Sequence, residues 1–355
     1  MPNVHVGQEE RKLTMPIVKD AKLEKLTTTV QRMLDGNPAI MVGSGCSFPY
    51  GLPTMGGLAD EIKSKLTPKY GSNLNWQKFI AELDKTSNLE TALERVFLDD
   101  DIQQELVWSI WKMVYKHDIA AKNSFLRDTG CPAVSKIFAK FIQQAGVTSV
   151  VTTNYDRMVE YAISLADGKC CTGFTNGYIQ KFSQFESTIS KRSINVYKVH
   201  GSIDWFKQKE SLNLYSLPFF DHDALYDKYV PQIVTPGNSK YRETHLDPFR
   251  TVIAKADEAL RNACAYLCIG YGFNDEHIQP IILKENRDKK KPIVIVTKEI
   301  TPKIKELFCN SRAENCLIIS ENTPGSSIAN FTYVDQEVYD ANYWQLGEFY
   351  KLWFE

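Results

Sequence analysis

The sequence lacks the paired cysteines that mark structural zinc sites and disulfide frameworks. Its eight cysteines are spread over 355 residues, and none of them forms a CxxC pair; Cys170 and Cys171 are adjacent, and Cys264 and Cys268 are four positions apart. Cysteines inside strand-like runs behave as small apolar residues. We therefore expect reduced thiols in a cytoplasmic protein, with no structural zinc and no other bound metal.

Long apolar runs and an excess of charge of one sign are also missing. The longest apolar stretches, such as "PAIMVG" and "KPIVIVT", are too short to cross a bilayer. The first residues are polar and charged, so we expect no secretory signal peptide. The 42 Lys and Arg residues nearly balance the 43 Asp and Glu residues, which excludes a strong overall attraction to nucleic acid or to a membrane surface. A hydrophobic content of 43% is typical of a soluble globular protein.

Strand-like runs alternate with helical segments through most of the chain. This alternation predicts an α/β fold, a doubly wound parallel sheet of Rossmann-like type with helices on both faces. The predicted strands are the run "NPAIMVG" and residues 147–154, 194–201, 265–272, 291–297 and 316–320.

The segments between and around these strands predict the organisation of the chain. We expect a polar N-terminal arm at 1–22, an α/β domain at 23–330 with a helical insertion at about 57–145, and a C-terminal segment at 331–355. Residues 207–240, rich in aromatics and proline, predict a loop or a small excursion. The aromatic C-terminal segment predicts either an assembly helix or a helix packed on the chain's own core.

The first candidate site is a glycine turn after the first predicted strand. Gly43 and Gly45 stand in "MVGSGCSFPYGLPT", where missing side chains would let backbone N–H groups approach a pyrophosphate. The dinucleotide fingerprint is incomplete, because Phe48 occupies the position of its third glycine. A phosphate-binding turn and a plain tight turn both remain open.

Two further strands end on polar side chains. In "VTTNYDRMVEYA", Asp156 is placed to cap the following helix, whereas Asn154 needs another explanation. In "VYKVHGSIDW", His200 ends a strand and Gly201 follows it at once. Such a histidine is either a hydrogen-bonded structural group or a general base. The carboxyl ends of parallel strands share one edge of a sheet, so we expect these side chains to gather at one place.

Four motifs in fixed order resemble the sirtuin (silent-information-regulator-like, NAD-dependent) family. They are "GSGCS" with "GLP" downstream, "TTNYD", "HGSIDW" and "GYGFNDEH". The pattern is most similar to the bacterial branch whose members hydrolyse NAD in antiphage defence, and it spans about 40–300. The resemblance implies a sirtuin-type fold, NAD as the substrate, and cleavage to nicotinamide and ADP-ribose.

The resemblance also implies roles for individual residues. Asn154 and His200 would be the catalytic pair: Asn154 would hold the ribose and its attacking water, and His200 would contact ribose hydroxyls and accept a proton. Asp156 would address the carboxamide of nicotinamide. Gly43, Ser44, Gly45 and Ser47 would surround the pyrophosphate; Gly270, Gly272 and Phe273, with Asn274 and Asp275 nearby, would line the adenosine side; Thr297 would lie near the adenine ribose.

Departures from the family pattern keep other functions open. The four-cysteine zinc module of deacylating sirtuins is absent, and Thr153 stands where those enzymes have glutamine. An NAD-dependent protein deacylase, a non-catalytic module that senses NAD or ADP-ribose, and a dehydrogenase are the alternatives. The same resemblance implies a homo-oligomer with a HerA-type ATPase as a possible partner.

Overall fold

The computed structural model describes residues 20–86, 89–127, 133–143, 149–175, 177–183, 185, 192–211, 213–218, 225–234, 246–275, 278–309, 315–331 and 335–355. Most of the arm predicted for 1–22 lies outside these ranges. Its last residues belong to the start of helix α1 (Ala21–Met33), where the Asp20 carboxylate accepts the N–H of Lys22 at 3.0 Å.

The described residues form strands and further helices throughout. The strands are β1 (Ala39–Val42), β2 (Ser149–Thr152), β3 (Lys169–Cys171), β4 (Phe174–Thr175), β5 (Gln180–Phe182), β6 (Ser193–Lys198), β7 (Gly201–Gln208), β8 (Leu214–Ser216), β9 (Tyr229–Ile233), β10 (Tyr266–Ile269), β11 (Ile293–Val296), β12 (Cys316–Glu321), β13 (Ser327–Asn330) and β14 (Gln336–Tyr339). The helices after α1 are α2 (Ser44–Ser47), α3 (Met55–Tyr70), α4 (Leu74–Thr86), α5 (Leu89–Arg95), α6 (Asp100–Arg127), α7 (Ala133–Gln143), α8 (Met158–Leu165), α9 (Phe249–Asn262), α10 (Gln279–Lys289), α11 (Pro302–Ile304) and α12 (Leu346–Phe354).

All the predicted strands lie in one nine-stranded sheet with the order β14-β13-β12-β11-β10-β1-β2-β6-β3. The strands from β12 to β3 in this order pair in parallel, and β13 is antiparallel to both of its neighbours. Every residue of β1, β10 and β11 is buried, as expected for parallel strands covered on two faces.

Helices cover both faces of this sheet. One face packs against α1, α7, α8 and α12, with residues such as Val30 and Phe138 in a shared core. The other face packs against α9, α10 and α11, with Val252 and Ile282 in a second core. The fold predicted from the sequence, a doubly wound parallel sheet with a helical region, is confirmed.

A second sheet was not predicted. Its strand order is β4-β5-β8-β7-β9, with antiparallel pairing. Of the two alternatives expected for 207–240, a loop is wrong and a small excursion agrees with the structure, because the end of β7 and all of β8 and β9 lie there. Residues 212, 219–224 and 235–240 are outside the described residues. These strands are short and half-exposed, so they lack the continuous apolar runs of the parallel sheet.

The helices α3 to α6 build a core of their own. Buried aromatic side chains such as Trp76, Phe79 and Trp111 pack there together with Ile203 and Phe206 of the second sheet. The next helix, α7, packs on the parallel sheet instead. The helical region thus sits on the antiparallel sheet and borders the edge at which the parallel strands end.

The C-terminal helix α12 packs inside the molecule. Phe349 is fully buried, and the rings of Phe141 and Trp353 meet edge to face with centroids 5.2 Å apart. Contacts with α1 and α7 hold the helix in place. The aromatic side chains of this segment therefore contribute to the chain's own core.

Candidate active site

A cleft lies at the carboxyl ends of β1, β2, β6 and β10. The strand order changes direction at β1, with β2 on one side and β10 on the other, and such a switch point is where open α/β sheets bind ligands. The cleft contains about 970 Å³ of empty space, part of it open to solvent.

Asn154 lies in the cleft wall with its carboxamide fixed by the protein. Its Nδ2 donates to the carbonyl of Gly43 at 3.0 Å and to Ser47 Oγ at 3.1 Å. Its backbone N–H donates to Thr152 Oγ1, which in turn donates to the carbonyl of Val42. Both hydrogens of the amide are thus engaged, and the oxygen Oδ1 is the atom that can accept a hydrogen bond from a ligand or water.

Asp156 continues the same chain of hydrogen bonds. Ser47 Oγ donates to its Oδ1 at 3.0 Å, and the N–H of Met158 donates to the same oxygen at 3.1 Å. Asp156 thus accepts the first N–H of α8 from the position before its N-cap residue, Arg157, and it also lines the cleft. Burial raises the pKa of this carboxyl, although nearby Lys198 opposes the shift.

His200 lines the cleft from the end of β6. Its backbone carbonyl accepts the N–H of Val234 at 2.8 Å, and its Nε2 lies 2.7 Å from Asp275 Oδ2. Gly201 then turns the chain into β7 with a φ of +84°, and a Cβ there would lie 2.0 Å from the carbonyl oxygen of Gln232. Only glycine fits this turn, which explains why glycine follows the histidine in the sequence.

The glycines of the first turn serve close packing of two chain segments. Gly43 N–H donates to the Ile269 carbonyl and Gly45 N–H donates to the Gly270 carbonyl. A Cβ on Gly43 would lie 2.4 Å from Gly270 O, and one on Gly45 would lie 2.8 Å from Gly270 Cα. These two N–H groups are therefore engaged within the protein, and so is Ser47 Oγ, through Asn154 and Asp156.

The other residues expected on the cofactor divide into two groups. Gly272, Asn274 and Asp275 line the cleft. Phe273 has a φ of +58° and is fully buried, with its ring 4.8 Å from that of Phe308. Gly270 packs on Gly45, and Thr297 bonds its Oγ1 to the carbonyl of Glu299. Phe273, Gly270, Gly45 and Thr297 are not among the residues that line this cleft.

One wall of the cleft is apolar and was missed by the sequence reasoning. The helical region contributes it, including Val114 from the middle of α6. Helical spacing alone does not tell which face of α6 meets the sheet edge, so only the "GLP" motif offered a signal. The apolar lining residues of this wall are Leu52, Pro53, Met55, Leu58 and Val114.

A fully buried lysine supports the loop that carries Asn154. Lys198 Nζ donates to the Asp156 carbonyl and to Glu160 Oε1, the latter at 2.8 Å. Burial opposes its charge, but Glu160, Asp204 and Asp156 outweigh burial and leave the pKa of Lys198 raised. This cation therefore ties β6 to α8 directly behind the cleft.

A second buried ion pair ties the helical region to the same loop. Asp118 of α6 accepts the backbone N–H of Arg157 at 2.8 Å and its Nη2 at 2.7 Å, and Tyr161 Oη donates to it at 2.6 Å. Burial opposes the charge of Arg157, but Asp118 outweighs it and raises the arginine's pKa. The loop 153–157 is thus held from both sides.

The cysteine within the first motif is an inert thiol. Cys46 is buried, and burial together with Asp156 raises the pKa of its thiol to about 12. A thiol with such a pKa forms almost no thiolate at neutral pH, which is the nucleophilic form. The pKa and the burial of Cys46 therefore disfavour it as a nucleophile.

No group of three or more His, Cys, Asp or Glu side chains in the described ranges is placed to hold a metal ion. None of the helices there combines the length and apolar character needed to cross a bilayer.

Comparison with known families gives one match within the chain. Residues 148–316 match a family model described as a SIR2-like domain. This range includes β2, β6 and β10, and hence Asn154, His200 and Asp275. No curated protein matches the sequence.

Several solved Sir2 structures are similar to the chain. A Sir2 homologue in complex with NAD is 15% identical, with 83% of this chain and 87% of that chain covered and a TM-score of 0.42. A sirtuin structure described as showing the structural basis of sirtuin substrate affinity is 14% identical. The match covers 86% of this chain and 94% of that chain, with a TM-score of 0.45. Sir2 bound to an acetylated peptide has 12% identity, coverage of 90% and 93%, and a TM-score of 0.42. The fold of this chain is established by its own strand order.

Proposed function

We propose that this protein hydrolyses NAD at the bond between nicotinamide and ribose, giving nicotinamide and ADP-ribose. The observation that carries the proposal is that Asn154 and His200 line one cleft at the carboxyl edge of the parallel sheet. The SIR2-like match of residues 148–316, which contain both side chains, supports it.

Cleavage of this bond needs little acid catalysis of the leaving group, but it needs a site that orients the sugar and stabilises positive charge. As the bond breaks, nicotinamide leaves with the bonding electrons as a neutral base, and positive charge develops on the ribose. The site has to orient the sugar, offer oxygen dipoles to that charge and place a water molecule on the free face. The apolar wall at Leu52, Met55 and Val114 suits the flat nicotinamide ring.

Asn154 and His200 fit complementary roles in this reaction. The amide hydrogens of Asn154 are engaged by Gly43 and Ser47, so its Oδ1 would accept a hydrogen bond from the attacking water. His200 would take a proton from that water or from a ribose hydroxyl, which contributes roughly 10²–10⁴-fold in rate. The water oxygen bonds to the ribose carbon as the bond to nicotinamide breaks.

The first prediction is that Asn154→Ala and His200→Ala each abolish nicotinamide release. Each removes a group that the transition state needs, and His200→Ala should cost roughly 10²–10⁴-fold. Purified protein is incubated with NAD and without any acylated peptide, and nicotinamide and ADP-ribose are quantified by chromatography. A protein deacylase would need the acyl peptide and would form an acylated ADP-ribose.

Matched controls separate loss of chemistry from loss of folding. His117→Ala on α6 and the exposed Asn262→Ala at the end of α9 make the same side-chain changes outside the cleft and should retain the wild-type rate. Thermal unfolding of all four variants shows whether each is folded. Wild-type rates in folded Asn154→Ala and His200→Ala proteins contradict the proposal.

The wider role that we propose is NAD depletion in antiphage defence. It rests on the motif resemblance, as do the proposed homo-oligomer and the HerA-type ATPase partner. A mass measurement of the purified protein tests the homo-oligomer. NAD turnover recorded alone and beside the product of the neighbouring gene tests the partner.

A further inference from the structure

Asp275 contacts the proposed general base directly. Its Oδ2 lies 2.7 Å from His200 Nε2, and the side chains of the two residues are 5% and 16% exposed, respectively. The motif resemblance places Asp275 near the adenosine side of a dinucleotide. The contact with His200 instead assigns it to the side of the cleft where the histidine acts.

The carboxylate of Asp275 is held in place by its own turn. Its Oδ1 accepts the N–H of Ile278 at 2.9 Å, just before α10 begins at Gln279. One oxygen therefore fixes the carboxylate and the other faces the imidazole. The two atoms lie at ion-pair distance, but the pair does not have hydrogen-bond geometry in this conformation. A carboxylate this close to one ring nitrogen favours the tautomer that carries its proton there.

We infer that Asp275 is the positioning residue for His200: it accepts the Nε2–H and leaves Nδ1 as the nitrogen that takes a proton. This inference rests on the proposed function for its kinetic consequence, whereas the pairing itself does not. When Nδ1 accepts a proton from water or a ribose hydroxyl, the imidazole becomes a cation beside a carboxylate. The Asp275 carboxylate beside it would stabilise that cation.

The test is the variant Asp275→Asn, which removes the negative charge of the side chain and keeps its size and shape. Asp275→Asn retains an oxygen that can accept the N–H of Ile278, so a purely structural role predicts little change. The inference predicts that kcat falls more than about 10-fold, part of the roughly 10²–10⁴-fold that a general base contributes, while KM changes little because uniform binding is kept. The matched control is Asp288→Asn within α10, whose side chain is 46% exposed and pairs with Arg287; it should leave kcat unchanged.

A spectroscopic measurement tests the pairing without turnover. The chain has six histidines, and comparison with His200→Gln assigns the ring nitrogens of His200 in histidine-labelled ¹⁵N spectra. Wild-type protein should show a protonated Nε2 with a downfield, slowly exchanging proton and an unprotonated Nδ1. In Asp275→Asn that proton should move upfield and exchange faster.

The outcomes separate this inference from the proposed function. An unprotonated Nε2 in wild-type protein, or an unchanged kcat in Asp275→Asn, overturns the inference. Absence of NAD cleavage by the wild-type protein refutes the proposed function, and the ¹⁵N spectra then still decide whether Asp275 orients His200.

Discussion

At Gly201 the chain leaves the parallel sheet in a backbone conformation that other residues rarely adopt. The turn aims His200 into the cleft and starts β7, and its φ is +84°. The pattern of a histidine followed by glycine at a strand end is visible in the sequence. The direction of the imidazole, by contrast, depends on β9, whose Gln232 carbonyl packs against the glycine.

We predict that Gly201→Ala destabilises the protein and impairs NAD cleavage. A Cβ would lie 2.0 Å from the Gln232 oxygen, so the cost exceeds the roughly 1 kcal/mol of positive-φ strain alone. The free energy of unfolding from urea titration measures the effect.

Gly325→Ala is the control for backbone strain. Gly325 has a φ of +91°, and a Cβ added there would have no neighbouring atom within 4 Å, so its substitution carries the strain without the clash. Equal losses in the two variants would show that crowding at Gly201 is unimportant.

Residue types at strand ends were predictable, whereas side-chain directions were not. Asn154, Asp156 and His200 all line the cleft, because the ends of neighbouring parallel strands share an edge. Phe273 stands in the fourth motif, yet its positive φ directs the ring into the core against Phe308. Motif position carries no information about such a local turn.

At the scale of elements, β6 and α8 are joined behind the site by the buried pair of Lys198 and Glu160. Its Nζ–Oε1 distance is 2.8 Å, and the side chains are 0% and 18% exposed, respectively. Nothing in the sequence distinguished this lysine from a surface lysine, because burial of Lys198 depends on α8 packing across the strand.

Removal of the Lys198 cation should be strongly destabilising. Lys198→Met leaves Glu160 and the Asp156 carbonyl without their buried partner, which costs about 3–5 kcal/mol. Adding Glu160→Leu should restore part of the loss, giving a coupling energy within the roughly 0.5–3 kcal/mol seen for contacting residues. Urea unfolding of the two single variants and the double variant measures it.

The exposed pair of Glu61 and Lys65 on α3 is the matched control for this cycle. Its side chains are 31% and 50% exposed, so solvent screens the interaction and Lys65→Met with Glu61→Leu should show almost no coupling. A Lys198–Glu160 coupling as small as that of the control contradicts a role in joining the two elements.

Elements with continuous apolar runs were predictable, and short or half-exposed ones were not. The six predicted strands exist because buried parallel strands need apolar residues at every position, as in β10 and β11. Strands such as β8 and β14 have exposed or half-exposed positions and three or four residues. Their formation depends on pairing with distant segments.

On the scale of the whole molecule, the C-terminal helix closes the core between the first helix and α7. From the sequence, the aromatic residues of this helix could serve either assembly or internal packing, because amphipathic spacing is the same for both. Phe349, Leu352 and Trp353 are buried within the monomer.

We predict that Trp353→Ala lowers the free energy of unfolding by about 3–5 kcal/mol, the range for deleting a large buried aromatic side chain. The loss should be independent of protein concentration, because the contacts lie within one chain. Urea titrations at two concentrations tenfold apart check this.

Lys351→Ala on the same helix provides the comparison. Its side chain is 54% exposed, so unfolding should be unchanged. A Trp353→Ala effect that appears only at high protein concentration would instead identify the helix as an assembly surface.

The two sheets meet between Lys198 and Gly201, where β6 ends and β7 begins. Asn154 is bonded to the strand β2 and to the turn after β1, through Thr152, Gly43 and Ser47. His200 is anchored at a joint, with its carbonyl bonded to Val234 beyond the antiparallel strand β9. The distance between the Asn154 and His200 side chains therefore depends on how the two sheets are oriented relative to each other at this connection.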